Sequence, residues 1–411
     1  MRLPSPWLLL VVLLLALLVL REPRFADAEE NFLNWMVKHS EARGPAVPFS
    51  VVEIGADPLT APAGGVPAKK EGTGSGTPSP LEYALFLQSL LDFQPDVVAF
   101  ESVLKWRERD KDQEQVFLDQ AMRVPKLLLA SELGANIDPD LPWAEIHGFT
   151  QVTGKRGELA AYSGVVREPA EDLRLISTAG FVNLPADISS EIRVPLLFLY
   201  RGEVIPSFPL QAVLLWLKVT PADVKIVLGS HIELPQNRRI PIRADGTMLI
   251  NPTASHRVRR LTLNELLLAA QQHETGKSVE LANLKGEIVL ARTPANLLSP
   301  PDMFAATIAT ILGKSYLRRI SPIFDCAILL VIAAAFGFLR RIERIDLLLF
   351  GIAISAAYCL IALGTLSRWN VWLPGILPLG ALWIAIVAAL LFPARKEATH
   401  STAIGLPPPI I

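Results

Sequence analysis

Three acidic residues sit where ligand chemistry would place them. Asp57 follows the apolar run Phe49–Gly55 (FSVVEIG), Glu101 closes Asp96–Glu101 (DVVAFE), and Glu132 lies near the end of Lys126–Leu133 (KLLLASEL). Each run is short, apolar and set off by turn formers, the pattern of a buried strand. Open α/β sheets bind ligands outside the carboxyl ends of their strands. Carboxylates there would suit a cation or an amine, so Asp57, Glu101 and Glu132 are the candidate ligand-binding residues. The competing expectation is that they cap helices or face solvent.

Other constellations fail on spacing. Gly276-Lys277-Ser278 and Gly313-Lys314-Ser315 look like phosphate-binding loops, but the glycine needed five residues earlier is Gln271 or Ile308. Gly72, Gly74 and Gly76 have no flanking strand and read as a spacer. No histidine pair has metal-ligand spacing, and Lys277 stands where a second His would follow His273-Glu274. The two cysteines, Cys326 and Cys359, both lie in apolar runs. No catalytic residue, metal or cofactor is therefore expected, and the chain is not expected to be an enzyme. With 39 Lys and Arg against 40 Asp and Glu, no basic face argues for nucleic acid.

The elements that would position the acids alternate. Leu81–Phe93 and Gln113–Arg123 read as helices between the three strands, which implies βαβ units. Asp57–Pro80 is a long loop rich in Pro and Gly. Farther on, Gly180–Leu184, Val194–Tyr200, Val224–Leu228, His231–Leu234, Arg239–Ile242, Thr247–Asn251 and Glu287–Ala291 read as strands. Ser207–Val219 is apolar nearly all round and should be a buried helix. Thr262-Leu263-Asn264-Glu265 matches a capping box. Asp245-Gly246 is a hairpin-type turn signal. Asp302–Leu312 is expected to be an amphipathic helix ended by Gly313. The fold class is thus α/β: a mainly parallel twisted sheet with helices on both faces.

Apolar runs frame this region. Ile323–Leu339, Ile345–Leu366 and Val371–Phe392 each approach the ~20 residues a bilayer needs and predict a C-terminal bundle of three transmembrane helices. Trp7–Leu20 is shorter and reads as an uncleaved anchor or a signal sequence. Small residues recur at four-residue spacing in the later runs (Ala333/Gly337, Gly351/Ser355, Ala353/Ala357, Ala381/Ala385, Ala385/Ala389), which lets helices approach closely in lipid. The expected layout is an anchor or signal at 1–28, an outer domain at 29–320, membrane helices at 321–392 and a cytoplasmic tail at 393–411.

The order of Val51–Gly55, Leu81–Glu101 (LEYALFLQSLLDFQPDVVAFE), Gly180–Asp187 (GFVNLPAD), Arg193–Leu197 (RVPLL), Pro206–Val213 (PSFPLQAV), Ile240–Asn251 (IPIRADGTMLIN) and Leu284–Leu290 (LKGEIVL) resembles the extracytoplasmic sensory domain called CHASE, type 2. The resemblance covers roughly Phe49–Gly313 and extends to the membrane frame. It departs at Pro300–Leu312, which lacks the glycine and polar pattern usual there. The resemblance implies a membrane-anchored sensor of an unknown small ligand, with its soluble domain outside the plasma membrane. Relatives usually continue into a kinase or cyclase, whereas here about nineteen residues follow the last apolar run. A separate kinase or cyclase partner is therefore expected, with a homodimer as a further expectation. A structural subunit of a cell-envelope complex is the rival reading.

Overall fold

The structure is a computed structural model, which describes residues 23–40, 46–55, 78–106, 111–135, 146–184, 192–235, 237–276, 284–293, 302–339 and 341–391. It forms two compact units, one of Asn34–Arg318 with Leu366–Asn370, the other of the described parts of Met1–Leu33, Arg319–Thr365 and Val371–Ile411.

The larger unit is organised by a seven-stranded sheet. Its strands in chain order are β1 (Phe49–Glu53), β2 (Val97–Phe100), β3 (Leu127–Gly134), β4 (Gly164–Arg167), β5 (Thr178–Phe181), β6 (Arg259–Thr262) and β7 (Ile288–Arg292). In space they run β6-β1-β7-β2-β3, and the long β3 pairs with β5 along its first half and β4 along its second. Every pairing is parallel except β3 with β4. The central strands are apolar on both sides, as a parallel sheet covered on both faces requires.

Crossover handedness decides which helix covers which face. The connections β1 to β2, β2 to β3 and β6 to β7 all advance in one direction across the sheet. Right-handed crossovers then put their helices on the same face. These helices are α2 (Pro80–Leu91), α3 (Lys111–Ala121) and, numbered along the chain, α6 (Leu263–Glu274). They share one core with alternate strand residues: Val52 and Ile54, Val98 and Phe100, Leu127 and Leu129, Val289 and Ala291. The return from β5 to β6 runs the other way and carries α5 (Phe208–Leu217), which lies against β2, β3 and β5 and packs on α7 (Met303–Leu312), with Phe208 and Phe304 rings 5.6 Å apart. Before it, the short α4 (Glu171–Ile176) leads into β5.

Caps fix the helix starts. Thr262 and Glu265 form the expected capping box at α6. Ser79 and Glu82 form a second at α2, with Pro80 in its first turn. At Gly180 in β5, an added Cβ would lie 2.6 Å from Phe208 and 3.0 Å from Leu128. Both neighbours are packed core, so Gly180→Ala should cost about 1–3 kcal/mol through overpacking. A thermal melt of the purified chain measures this, and an unchanged midpoint would contradict the packing described.

Three expectations are corrected. The helix from Asp302 to Leu312 is not amphipathic: all ten residues of α7 are buried. It is enclosed by α5, β1 and the 3₁₀ turn Pro252–Arg257. Its two polar residues are satisfied locally, Thr307 donating to the Met303 carbonyl and Thr310 to that of Ala306, each at 2.7 Å. Asp245-Gly246 does turn the chain, with Gly246 at φ +74°, but it closes no hairpin. Arg238–Pro241 pairs with His231–Leu234, and Thr247–Leu249 with Arg193–Pro195. The third apolar run is extended at Val371–Trp372 and helical only from Ile376.

The smaller unit holds α8 (Pro322–Leu339), most of α9 (Arg344–Trp369) and α10 (Ile376–Leu391). Among the described helices, only the 26-residue α9 is long and apolar enough to cross a membrane, and just 17% of its apolar window is buried. The apolar stretch of α8, Ile323–Phe336, and α10 are shorter. Ala333 of α8 and Ala381, Ala385 and Ala389 of α10 enter one buried cluster, and a Cβ at Gly351 would meet Ile386 at 2.4 Å. Ala353 and Ala357, by contrast, are exposed.

Candidate functional site

The carboxyl ends of the parallel strands form one edge of the sheet. There β7 differs from its neighbours: β1 and β2 lead to helices on one face, whereas β7 leads to α7 on the other. Such a switch of direction opens a crevice between strand ends.

Of the three candidate acids, Asp57 lies outside the described residues. Glu101 follows β2 at this edge and is buried, its amide bonded to the Ala291 carbonyl at 3.2 Å. Glu132 lies on the neighbouring β3 and forms an ion pair with Arg167, its register partner on β4. Glu101 and Glu132 therefore share the strand-end edge, but Glu132 already has a cation.

The charges at the switch point make a clamp. Asp302, just before α7, accepts from Arg292 at 2.5 Å and from Arg260 at 2.9 Å. Glu53 stands 3.9 Å from Arg260. The Arg292 side chain is only 8% exposed, and its Nε has no hydrogen-bond partner. Burial alone would push the Asp302 carboxyl up, but the two guanidiniums outweigh it and hold it below the usual carboxylate range. On the opposite face, the Tyr83 hydroxyl shares hydrogen bonds with Thr293 at 2.8 Å and Ser102 at 3.4 Å. Apart from the Arg292 Nε, these groups are partnered within the protein and read as fastening for the strand ends.

Open space lies one strand over. A cavity of about 260 Å³ sits on the sheet at β3 and β5, floored by Leu129, Val165 and Phe181. Ser131 lines it, and Glu168 and Arg174 stand together in its wall at 2.9 Å. Neither Glu101 nor Glu132 lines it. Among the described residues, no group of three His, Cys, Asp or Glu is arranged to hold a metal.

A family model described as CHASE2 domain matches residues 10–337. The chain belongs to the CHASE2 family. The match reaches beyond the Phe49–Gly313 resemblance at both ends, taking in part of the first apolar run and most of α8. Comparison with curated proteins finds no match, and neither does comparison with solved structures. CHASE2 domains are extracytoplasmic sensory domains, so the chemistry to look for is ligand binding. In this CHASE2 chain, sequence reasoning missed the cavity entirely. Glu168 and Arg174 carry no motif, and only the fold brings β3, β4 and β5 around one space. Asp302 and Arg292 were equally silent, although an acid directly before a helix is a signal that could have drawn attention to Asp302.

Proposed function

We propose that this protein is a membrane-anchored extracytoplasmic sensor whose ligand enters the cavity over β3 and β5. Family membership carries the reading. Exposed apolar surface supports the membrane part: Ile323, Val331 and Phe338 on α8, Ile345, Leu349 and Leu360 on α9, and Val387 and Leu391 on α10 all face outward. So much unpaired apolar surface on consecutive helices suits lipid. In this reading all three helices span the bilayer, the shorter two with help from flanking residues. The larger unit lies outside a plasma membrane, and the ligand-driven change passes to a separate kinase or cyclase.

Protease added to intact cells tests the topology. The region 34–318 should be digested from outside, while α8 to α10 survive as a protected fragment. Protection of the whole chain until the cells are opened would sink the proposal. Coupling has its own test. Replacing Lys314–Ser321 with a flexible Gly/Ser linker should abolish a ligand-dependent response in cells carrying the partner, while ligand binding stays intact. A full response through the flexible linker would count against transmission along this segment.

A further inference from the structure

We infer that the cavity over β3 and β5 is a receptor site for a small apolar zwitterion, an α-amino acid with an aliphatic side chain. The inference rests on the sensor reading and names its ligand class. Three features of the wall carry it. The floor is apolar, built from Leu129, Val165 and Phe181. The wall holds one positive and one negative side chain, Arg174 and Glu168, with Nη1 and Oε1 2.9 Å apart. Ser131, only 3% exposed, adds a hydroxyl above the floor.

The size is restrictive. At about 260 Å³ the space falls just below the usual range for small-molecule pockets, roughly 300–1,000 Å³. That is room for one amino acid. The charges are restrictive too. Arg174 and Glu168 are 42% and 38% exposed, so their mutual attraction is screened and easily exchanged. An incoming carboxylate takes the Arg174 guanidinium, and an incoming ammonium takes Glu168. Each charge leaves one partner for another, and neither is stranded. A plain carboxylic acid would strand Glu168 beside its own negative charge, and a plain amine would strand Arg174. The aliphatic body then covers Leu129, Val165 and Phe181, while Ser131 offers a hydrogen bond to the carboxylate. The acids Glu101 and Glu132 take no part, so a bare metal cation has no attraction to this cavity beyond Glu168.

Calorimetric titration and thermal melting of the full chain in detergent test the inference. L-leucine, L-isoleucine and L-valine are the probes, with 4-methylpentanoate, isoamylamine and 3-methyl-1-butanol as controls lacking the amine, the carboxylate or both. At least one amino acid should saturate and raise the midpoint, and each control should bind at least tenfold more weakly. Arg174→Gln and Glu168→Gln should each weaken amino-acid binding at least tenfold while leaving the ligand-free midpoint in place, because both residues are at the surface. Ser131→Val should weaken it severalfold. Silence toward every amino acid overturns the inference, as does equal binding of the neutral alcohol or indifference to both charge substitutions. The protease experiment above decides the topology independently, so an external domain that ignores amino acids would fail here alone.

Discussion

Asp302→Asn should destabilise the larger unit by about 3 kcal/mol. The reason is what the substitution leaves behind. Arg292 is buried at the end of the central strand β7, and its Nη1 hydrogen bond goes to Asp302. Stripping the charge from one partner of a buried pair strands the other, at a cost of about 3–5 kcal/mol. The lower end applies because the Asp302 side chain is 32% exposed and water screens part of the loss. Asparagine is the informative replacement. Asp302 has φ +66°, a left-handed conformation that asparagine tolerates and alanine resists. Asp302→Asn therefore removes the charge with little backbone strain. Replacing Arg292 by Met should cost less, since no charge is then left unpaired in the interior. Urea melts of the three proteins read the order: wild type most stable, then Arg292→Met, then Asp302→Asn. Asp302→Asn matching wild type would mean that the clamp contributes nothing.

The same pair sets an acid limit. The folded-state pKa of Asp302 is lowered, so its contribution is complete above the unfolded value of 3.8 and is lost as pH falls through the folded value. The gap between wild type and Asp302→Asn should therefore stay constant above about pH 3.8 and close progressively as pH falls below it.

The clamp shows what sequence reasoning could and could not reach. Its central strands were legible because Phe49–Glu53, Val97–Phe100 and Ile288–Arg292 are apolar runs bounded by turns. Strand β6 was not. Its two arginines are exposed at the sheet edge and only Leu261 is buried, so Arg259–Thr262 reads as polar chain before a cap. Charge on an edge strand discourages further pairing, and the same charge hides the strand from a hydrophobic pattern. Helix α7 was found but its surroundings were not, because periodicity reports a helix's own residues and not what a second layer lays over them. The candidate acids were chosen on strand-end position alone, which says where a ligand crevice forms but not which side chains are already engaged. Glu132 faces Arg167 because β3 is long enough to pair with β4 beyond β5, a register no local pattern encodes. The cavity walls come from β3, β4, β5 and the residues between them, and depend on the same register.

The second large effect concerns Glu29, in helix α1 (Pro23–His39), where acidification should stabilise the smaller unit. Glu29 is buried, and its two carboxylate oxygens accept from the Gly375 and Ile376 amides at 2.7 and 2.9 Å. Those amides open α10, so the side chain of one helix caps the start of another. Gly375 is required for the approach, because a Cβ there would lie 2.4 Å from the Phe32 ring. Arg319 also faces the carboxylate, as do Asp325 and Tyr358. Burial pushes the Glu29 carboxyl up, against the two amides and Arg319, and burial prevails. For a carboxyl whose folded pKa is raised, the stabilising contribution is complete below the unfolded value of 4.5 and is lost as pH rises through the folded value. Two substitutions separate the bonds from the charge. Glu29→Ala leaves both amides without their acceptor and should cost about 2 kcal/mol near pH 4.5, the scale of a lost cap, with the gap narrowing as pH rises and wild type loses the contribution. Glu29→Gln keeps one acceptor and does not titrate, so the wild-type midpoint should rise relative to it as pH falls from neutral toward 4.5. A gap that instead widens toward alkaline pH would show that the capping bonds outweigh burial, and that the ionised carboxylate is the form the fold prefers.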